Sequence, residues 1–111
     1  MTTYKPGDIV LTPFPFADLH TLKQRPALVL LSIASKIIPE LVLMAMITSQ
    51  TESENLLGDY LMQDWKKSGL IYPSKIRLSK CVSLEKNIIL KKLGALTNTD
   101  ETKVRSHLKK L

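Results

Sequence analysis

The run Pro26-Ala27-Leu28-Val29-Leu30-Leu31 decides the fold class, because six apolar residues follow one another without a charge. A short continuous run of this kind is typical of a strand that is buried on both faces. A second run, from Leu41 to Ser49, has the same character, and its β-branched content and short flanking turns favour a strand over a helix. The two runs predict a β-sheet at the centre of the molecule.

Further strands are predicted on both sides of this centre. The segment Lys75-Ile76-Arg77-Leu78-Ser79 alternates polar and apolar residues, which is the pattern of a half-buried strand. We expect its polar residues to project from one face while Ile76 and Leu78 enter the core. The remaining predicted strands are Gly7 to Thr12, ended by Pro13 and Pro15, then Leu56 to Asp64, and Leu93 to Leu96, with a loop from Phe14 to Lys23.

One helix is predicted at the C-terminal end. Asn98 offers an N-cap with Glu101 three residues later, ahead of apolar residues at helical spacing. The expected apolar positions are Val104, Leu108 and Leu111, and the expected outer positions are Lys103, Arg105, Lys109 and Lys110.

The length of 111 residues predicts a single domain over residues 1–111. Several short strands and one terminal helix predict a mainly β fold, a small and strongly bent barrel of five to seven strands. The apolar runs are too short for a bilayer span, so no membrane association is expected. Residues 1–8 contain no apolar signal segment, and the expected location is cytoplasmic.

Positive charge is concentrated toward the end of the chain. The net charge of the sequence is +6, and residues 65–111 carry twelve Lys or Arg residues against Glu85, Asp100 and Glu101, which gives +9. A basic surface favours encounter with polyanions, and nucleic acid is the leading partner class on charge alone. A merely solvated basic surface is the alternative.

Cysteine and histidine are too few and too scattered for a metal centre. Cys81 is the single cysteine, and His20 and His107 lie far apart in sequence. No Cys/His cluster has the ligand spacing of a structural zinc site. We therefore expect neither a metal nor another cofactor.

The order of several short motifs resembles the PemK/MazF family of toxins from type II toxin–antitoxin systems. The resemblance extends from about residue 5 to residue 97. It rests on Gly7-Asp8-Ile9-Val10, on Lys23-Gln24-Arg25-Pro26-Ala27-Leu28-Val29-Leu30, on Ile47-Thr48-Ser49, on Gly69-Leu70 and on Pro73-Ser74-Lys75-Ile76-Arg77.

This resemblance implies an SH3-like β-barrel with a terminal helix, and a homodimer. It also implies a sequence-specific, metal-independent endoribonuclease that cleaves single-stranded mRNA. The implied protein partner is a cognate antitoxin whose acidic, partly disordered tail folds across the active groove.

By the same resemblance, three residues match catalytic positions of the family. Arg25 matches the catalytic arginine, Thr48 matches a catalytic or phosphate-contacting hydroxyl, and Arg77 matches an arginine that some members use as an acid or a charge stabiliser. A planar guanidinium suits phosphate oxygens. The alternatives are a surface salt bridge for Arg25, a local backbone hydrogen bond for Thr48 and a solvated strand position for Arg77.

The sequence departs from part of the family at Ser79, where some relatives carry an aspartate two residues after the arginine. A carboxylate base cannot then come from this position of the strand. The loop residues Asp18 and His20 are the substitutes, and His20 has the more suitable pKa for proton transfer. An incidental loop histidine, or an Asx turn at Asp18, is the alternative. We assign His20 to the catalytic set and RNA binding to Phe16, Asp18, Gln24, Ser49, Lys75 and Ser79.

Two other functions remain open. The domain could be a noncatalytic module that binds nucleic acid or DNA gyrase, since this barrel type also occurs in toxins that poison gyrase. It could instead be an interaction module whose basic surface meets an acidic peptide. Turnover separates these functions, because an enzyme shortens excess RNA whereas a binding module only retards it.

Overall fold

The computed structural model describes residues 3–15, 22–34, 36 and 40–111. The sequence folds into six strands, one short 3-10 helix at Lys86–Ile88 and one α-helix. The strands are β1 (Asp8–Pro15), β2 (Leu22–Ile33), β3 (Leu41–Thr48), β4 (Asp59–Leu61), β5 (Lys75–Glu85) and β6 (Lys91–Ala95), and the helix is α1 (Asn98–Lys109).

All strand pairs are antiparallel, and the order across the sheet is β4-β5-β3-β2-β1-β6. Six strands agree with the predicted five to seven, and the mainly β class with one C-terminal helix is confirmed. The closed barrel is not confirmed, because the described residues form no hydrogen-bonded ladder between the edge strands β4 and β6. No helix in the described part of the chain is long and apolar enough to cross a bilayer.

The sheet buries apolar side chains on both faces, which explains the continuous apolar runs of β2 and β3. One cluster, here called the helix-side core, contains Val104 of α1; its other buried members are Ile9, Leu28, Ala45, Ile47, Tyr60, Met62, Leu70, Ile76 and Leu78. The second cluster, the opposite core, contains Tyr4, Val10, Phe14, Ala27, Val29, Val42, Met44, Met46 and Ile89. Trp65 packs against the helix-side core.

Strand β5 contains an insertion that changes which face its side chains occupy. Arg77 pairs with Met46, but the next pair along β3 joins Ala45 to Cys81, so three residues of β5 have no counterpart. Side chains alternate along a strand, and an odd insertion therefore reverses the alternation. Ile76 and Leu78 lie in the helix-side core, whereas Val82 packs against the opposite core.

The turn after β4 approaches β6 at two glycines. A Cβ atom at Gly69 would collide with the carbonyl oxygen of Leu93, and one at Gly94 would collide with the carbonyl oxygen of Ser68. Gly69 also has a φ of +94°, which L side chains rarely adopt. Backbone packing thus brings the segment that follows one edge strand against the other edge strand.

We expect Gly94→Ala to lower the free energy of unfolding by about 1–3 kcal/mol, because the added methyl group forces the two backbones apart. Urea unfolding measures the loss. Ser83→Ala, on an exposed position of β5, is the control and should be nearly neutral. Equal stability of Gly94→Ala and wild type would contradict the close approach.

Three local predictions were wrong. β1 continues through Pro13 to Pro15, with Pro13 paired to Gln24. The N-cap of α1 is Thr97, whose hydroxyl accepts a hydrogen bond from the Asp100 N–H and donates one to Asp64, so Asn98 is already helical. Along the predicted apolar face only Val104 is buried, while Leu108 and Leu111, the latter beyond the end of α1, are exposed.

Candidate functional site

Register places the predicted catalytic side chains on one face of the sheet. Arg25 pairs with Thr12 across β1 and β2, and Thr48 pairs with Lys75 across β3 and β5. Paired residues in an antiparallel sheet project to the same face. The last β2–β3 pair at this end is Ala27 with Met46, and Arg25 and Thr48 each lie two residues beyond that pair on their own strands.

This face is the one that carries the opposite core. Ala27 and Met46 belong to that core, and each is two residues from Arg25 or Thr48 on its own strand. Arg77, opposite Met46, projects to the same face. The polar site comprising Arg25, Thr48, Lys75 and Arg77 therefore continues the opposite core toward one end of the sheet.

Thr48 is almost fully buried, with 4% of its surface exposed. Its Oγ1 accepts a hydrogen bond of 3.2 Å from the backbone N–H of Gln50. This is the local backbone hydrogen bond that the sequence offers as the alternative role of Thr48. It uses the oxygen as an acceptor and leaves the hydroxyl hydrogen to donate.

Lys75 differs from expectation, because its side chain is enclosed and does not project into solvent. Only 1% of it is exposed, and Nζ donates to the carbonyl oxygen of Ser53 at 3.0 Å and to Asn55 Oδ1 at 3.1 Å. Nζ also lies 3.4 Å from Asp59 Oδ2. A buried ammonium needs such partners to offset its lost hydration. The lysine therefore fixes the loop that follows β3.

Arg77 is paired with the same carboxylate. Its Nε donates to Asp59 Oδ1 and its Nη2 to Asp59 Oδ2, each at 3.1 Å, and Nη2 also donates to the Glu54 carbonyl oxygen at 3.1 Å. This two-point geometry is stronger and more directional than a single contact. The solvated strand position considered for Arg77 does not describe it.

Asp59 is the site residue that the sequence analysis missed. Burial raises the pKa of its carboxyl, but hydrogen bonds from Arg77 and from the Leu56 backbone N–H outweigh burial and hold the pKa below its usual value. The group is therefore a charged anchor and a weak proton acceptor. Asp59 lies within the predicted strand from Leu56 to Asp64, but only its pairing with Arg77 in the folded sheet reveals the contact.

The lowered pKa of Asp59 predicts a pH dependence of stability. A carboxyl whose folded pKa lies below its unfolded value stabilises the fold above the unfolded value, here 3.8, and loses that contribution as pH falls through the folded pKa. We expect wild type to be more stable than Asp59→Asn at pH 6. This difference should shrink below about pH 4. Urea unfolding of both proteins between pH 3 and 7 measures it, and a pH-independent difference would contradict the assignment.

The other predicted RNA-binding residues lie around this site or outside the described residues. Gln24 and Ser49 are exposed next to Arg25 and Thr48, and Ser79 is exposed within the β5 insertion. His20, Asp18 and Phe16 lie outside the described residues. Within the described part of the chain, no group of three or more His, Cys, Asp or Glu side chains could hold a metal ion.

An apolar pocket of about 340 Å³ adjoins this end of the sheet. Pro26 and Ser49, the chain neighbours of Arg25 and Thr48, line one part of it. Tyr72 lines another part and is 61% exposed. Leu70 and Leu93, which also line it, belong to or pack against the helix-side core, so the pocket opens on the face of the sheet opposite to the polar site.

Comparison with known structures supports the fold. The chain is similar to an endoribonuclease from a mycobacterial species in complex with its cognate antitoxin, with 13% identity, a TM-score of 0.69, and coverage of 97% of this chain and 93% of that one. It is also similar to the Mycobacterium tuberculosis toxin MazF-mt6, with 15% identity, a TM-score of 0.63, and coverage of 91% and 93%. No curated protein sequence matches significantly.

The family comparison covers nearly the whole chain and agrees with the motifs from which the resemblance was drawn. Residues 5–111 match the model of the PemK-like, MazF-like toxins of type II toxin–antitoxin systems. The protein belongs to this family of PemK-like, MazF-like toxins.

Proposed function

We propose that this toxin is a metal-independent endoribonuclease that cleaves single-stranded RNA at a short sequence. The observation that carries the proposal is the shared face of Arg25, Thr48 and Arg77 at one end of the sheet. Two guanidinium groups and a hydroxyl suit a phosphodiester, which presents two non-bridging oxygens. The structural neighbour described as an endoribonuclease supports the same activity.

The reaction requires an internal nucleophile. The 2′-hydroxyl attacks the adjacent phosphorus, so the 2′-O–P bond forms while the P–O5′ bond breaks. The products are a 2′,3′-cyclic phosphate and a 5′-hydroxyl. One group must take the 2′ proton, another must protonate the leaving 5′ oxygen, and cationic donors must offset the charge on the phosphorane.

We assign charge stabilisation to Arg25 and Arg77 and a phosphate hydrogen bond to Thr48. His20 is the candidate for the proton acceptor, because Asp59 is held charged by Arg77 and has a lowered pKa. Gln24, Ser49, Ser79, Asp18 and Phe16 are assigned to RNA contacts. Lys75, whose ammonium is enclosed, acts on RNA through the loop that it holds.

Tyr72 is the most accessible stacking surface among the described aromatic residues. Phe14 and Tyr60 are buried, and Trp65 packs against the helix-side core. A base stacked on an aromatic ring contributes about 1–3 kcal/mol.

The test is incubation of purified, antitoxin-free protein with a long single-stranded RNA in EDTA, with cut sites mapped by primer extension. Discrete cuts at a repeated short sequence, with 5′-hydroxyl ends, support the proposal. An RNA with a single 2′-deoxy nucleotide at the cut site is the matched control and should resist cleavage there. Retarded but intact RNA would instead favour a noncatalytic binding module.

We further propose two protein partners, an antitoxin with an acidic tail and a second copy of this chain. The net charge of +9 over residues 65–111 complements an acidic tail, and the mycobacterial neighbour is itself bound to an antitoxin. For self-association, we expect analytical ultracentrifugation at micromolar concentration to give the mass of a homodimer. A monomer under these conditions would contradict that expectation.

A further inference from the structure

Protein groups accept hydrogen bonds from two of the three nitrogens of the Arg77 guanidinium. Asp59 accepts from Nε and Nη2, and Glu54 accepts from Nη2 through its backbone carbonyl. Among the described residues, none accepts a hydrogen bond from Nη1. The side chain is 13% exposed. Nη1 is therefore the nitrogen left to donate to an external acceptor.

Asp59 is itself rigidly held. Its side chain is 3% exposed, its Oδ2 accepts a hydrogen bond of 2.9 Å from the Leu56 backbone N–H, and the Lys75 ammonium lies 3.4 Å from the same oxygen. Each of these contacts comes from a different part of the chain. The carboxylate is thus a fixed reference point for the arginine across the β4–β5 ladder.

The two cations and one carboxylate also leave a net positive charge at this position. Lys75, Arg77 and Asp59 sum to +1, so the cluster tolerates burial and still favours an approaching phosphate. Without the carboxylate, the guanidinium could rotate about its terminal torsions and present either edge. Misplacement of a catalytic group by about 1 Å can cost about 10²-fold in rate.

We propose that Asp59 is a positioning residue that fixes the orientation of Arg77, so that Nη1 donates to a non-bridging oxygen of the cleaved phosphate. This inference rests on the proposed ribonuclease function. It assigns a catalytic consequence to a carboxylate that takes no proton in the reaction.

The primary test compares cleavage kinetics of wild type and Asp59→Asn on a short RNA that contains one cut site, at a temperature where both are folded. We expect kcat to fall by about 10- to 100-fold while KM changes by less than about threefold. Glu101→Gln removes a charge from α1, on the helix side of the sheet, and is the matched control, with kcat close to wild type. Unchanged kcat in Asp59→Asn would overturn the proposal.

A double-mutant cycle with Arg77→Lys separates orientation from general damage. A lysine ammonium has no planar edges to orient, so Asp59→Asn should cost much less in the Arg77→Lys background than in wild type. Equal losses in both backgrounds would overturn the proposal. If Asp59→Asn does not fold, Asp59→Glu replaces it. Glutamate keeps the charge but shifts its position, and full kcat in this variant would also be contrary.

An NMR measurement without RNA tests the Asp59–Arg77 clamp, which is the pair of hydrogen bonds by which Asp59 holds the guanidinium. The Arg77 Nε–H should exchange slowly with water in wild type and at least about tenfold faster in Asp59→Asn, because the carboxylate protects it. Equal exchange rates would overturn the clamp. If the wild type cuts no RNA, the proposed function fails, and slow Nε–H exchange would then show that the clamp exists without that reaction.

Discussion

Replacement of Arg25 by alanine is expected to reduce RNA cleavage by about 10³-fold or more, which amounts to loss of activity in an ordinary assay. Removal of one charge-stabilising donor costs about 10²–10³-fold in other active sites, and here the lost group also carries a full positive charge. Arg25 lies at the end of β2 and belongs to neither apolar core. The melting temperature should therefore change little.

Single-turnover cleavage in EDTA, beside thermal unfolding, measures both effects. Arg25→Lys is the matched variant, since it retains the charge but loses the planar pair of donors, and we expect it to recover only part of the rate. A large fall in melting temperature together with loss of cleavage would mean that Arg25 has a structural role. Full activity of Arg25→Ala would remove it from the catalytic set.

Replacement of Asp100 by alanine is expected to be the most destabilising of the changes considered. Asp100 is fully buried in the first turn of α1, where its carboxylate accepts from the Tyr60 hydroxyl and from the backbone N–H groups of Gln63 and Asp64. Burial and the hydrogen bond to Asp100 raise the pKa of Tyr60 above its usual value, so the tyrosine remains a donor. Loss of the carboxylate leaves one buried and two partly buried donors without an acceptor.

Each such orphaned donor costs about 1–3 kcal/mol, so we expect a loss of about 3 kcal/mol or more in the free energy of unfolding. In a domain of this size that corresponds to a fall of at least about 12 °C in melting temperature. Glu101→Ala is the matched control on the next residue. It removes an exposed pair with Arg105 and should cost less than about 1 kcal/mol. Similar losses for both variants would contradict the anchoring role of Asp100.

Much of the fold could be predicted from local sequence. The apolar runs of β2 and β3 identified the central strands, because burial on both faces leaves no room for polar residues. β4 was harder, since only Asp59–Leu61 of the predicted segment forms a ladder. The continuation of β1 through Pro13 was missed because proline usually ends a strand. These errors concern element ends, which depend on neighbouring strands.

The candidate site, too, could be predicted only in part. Arg25, Thr48 and Arg77 were found by resemblance, and register brings them to one face. The enclosed ammonium of Lys75 was not foreseen, because alternation in β5 gives the face of a side chain and not what covers it. The loop carbonyls of Ser53 and Glu54 supply that cover from more than twenty positions away. Asp59 was missed for the same reason.

The odd insertion in β5 makes one strand serve two independent constraints. Before the insertion, Lys75 and Arg77 must carry charge because they form part of the candidate site. After the insertion, Val82 and Leu84 must be apolar and of a size that fits the opposite core. Deletion of one residue from positions 78–80 would leave an insertion of two residues. The side chains in the second half of the strand would then change to the other face of the sheet. Residues before and after the insertion can therefore be substituted independently, whereas the number of residues in the insertion cannot change.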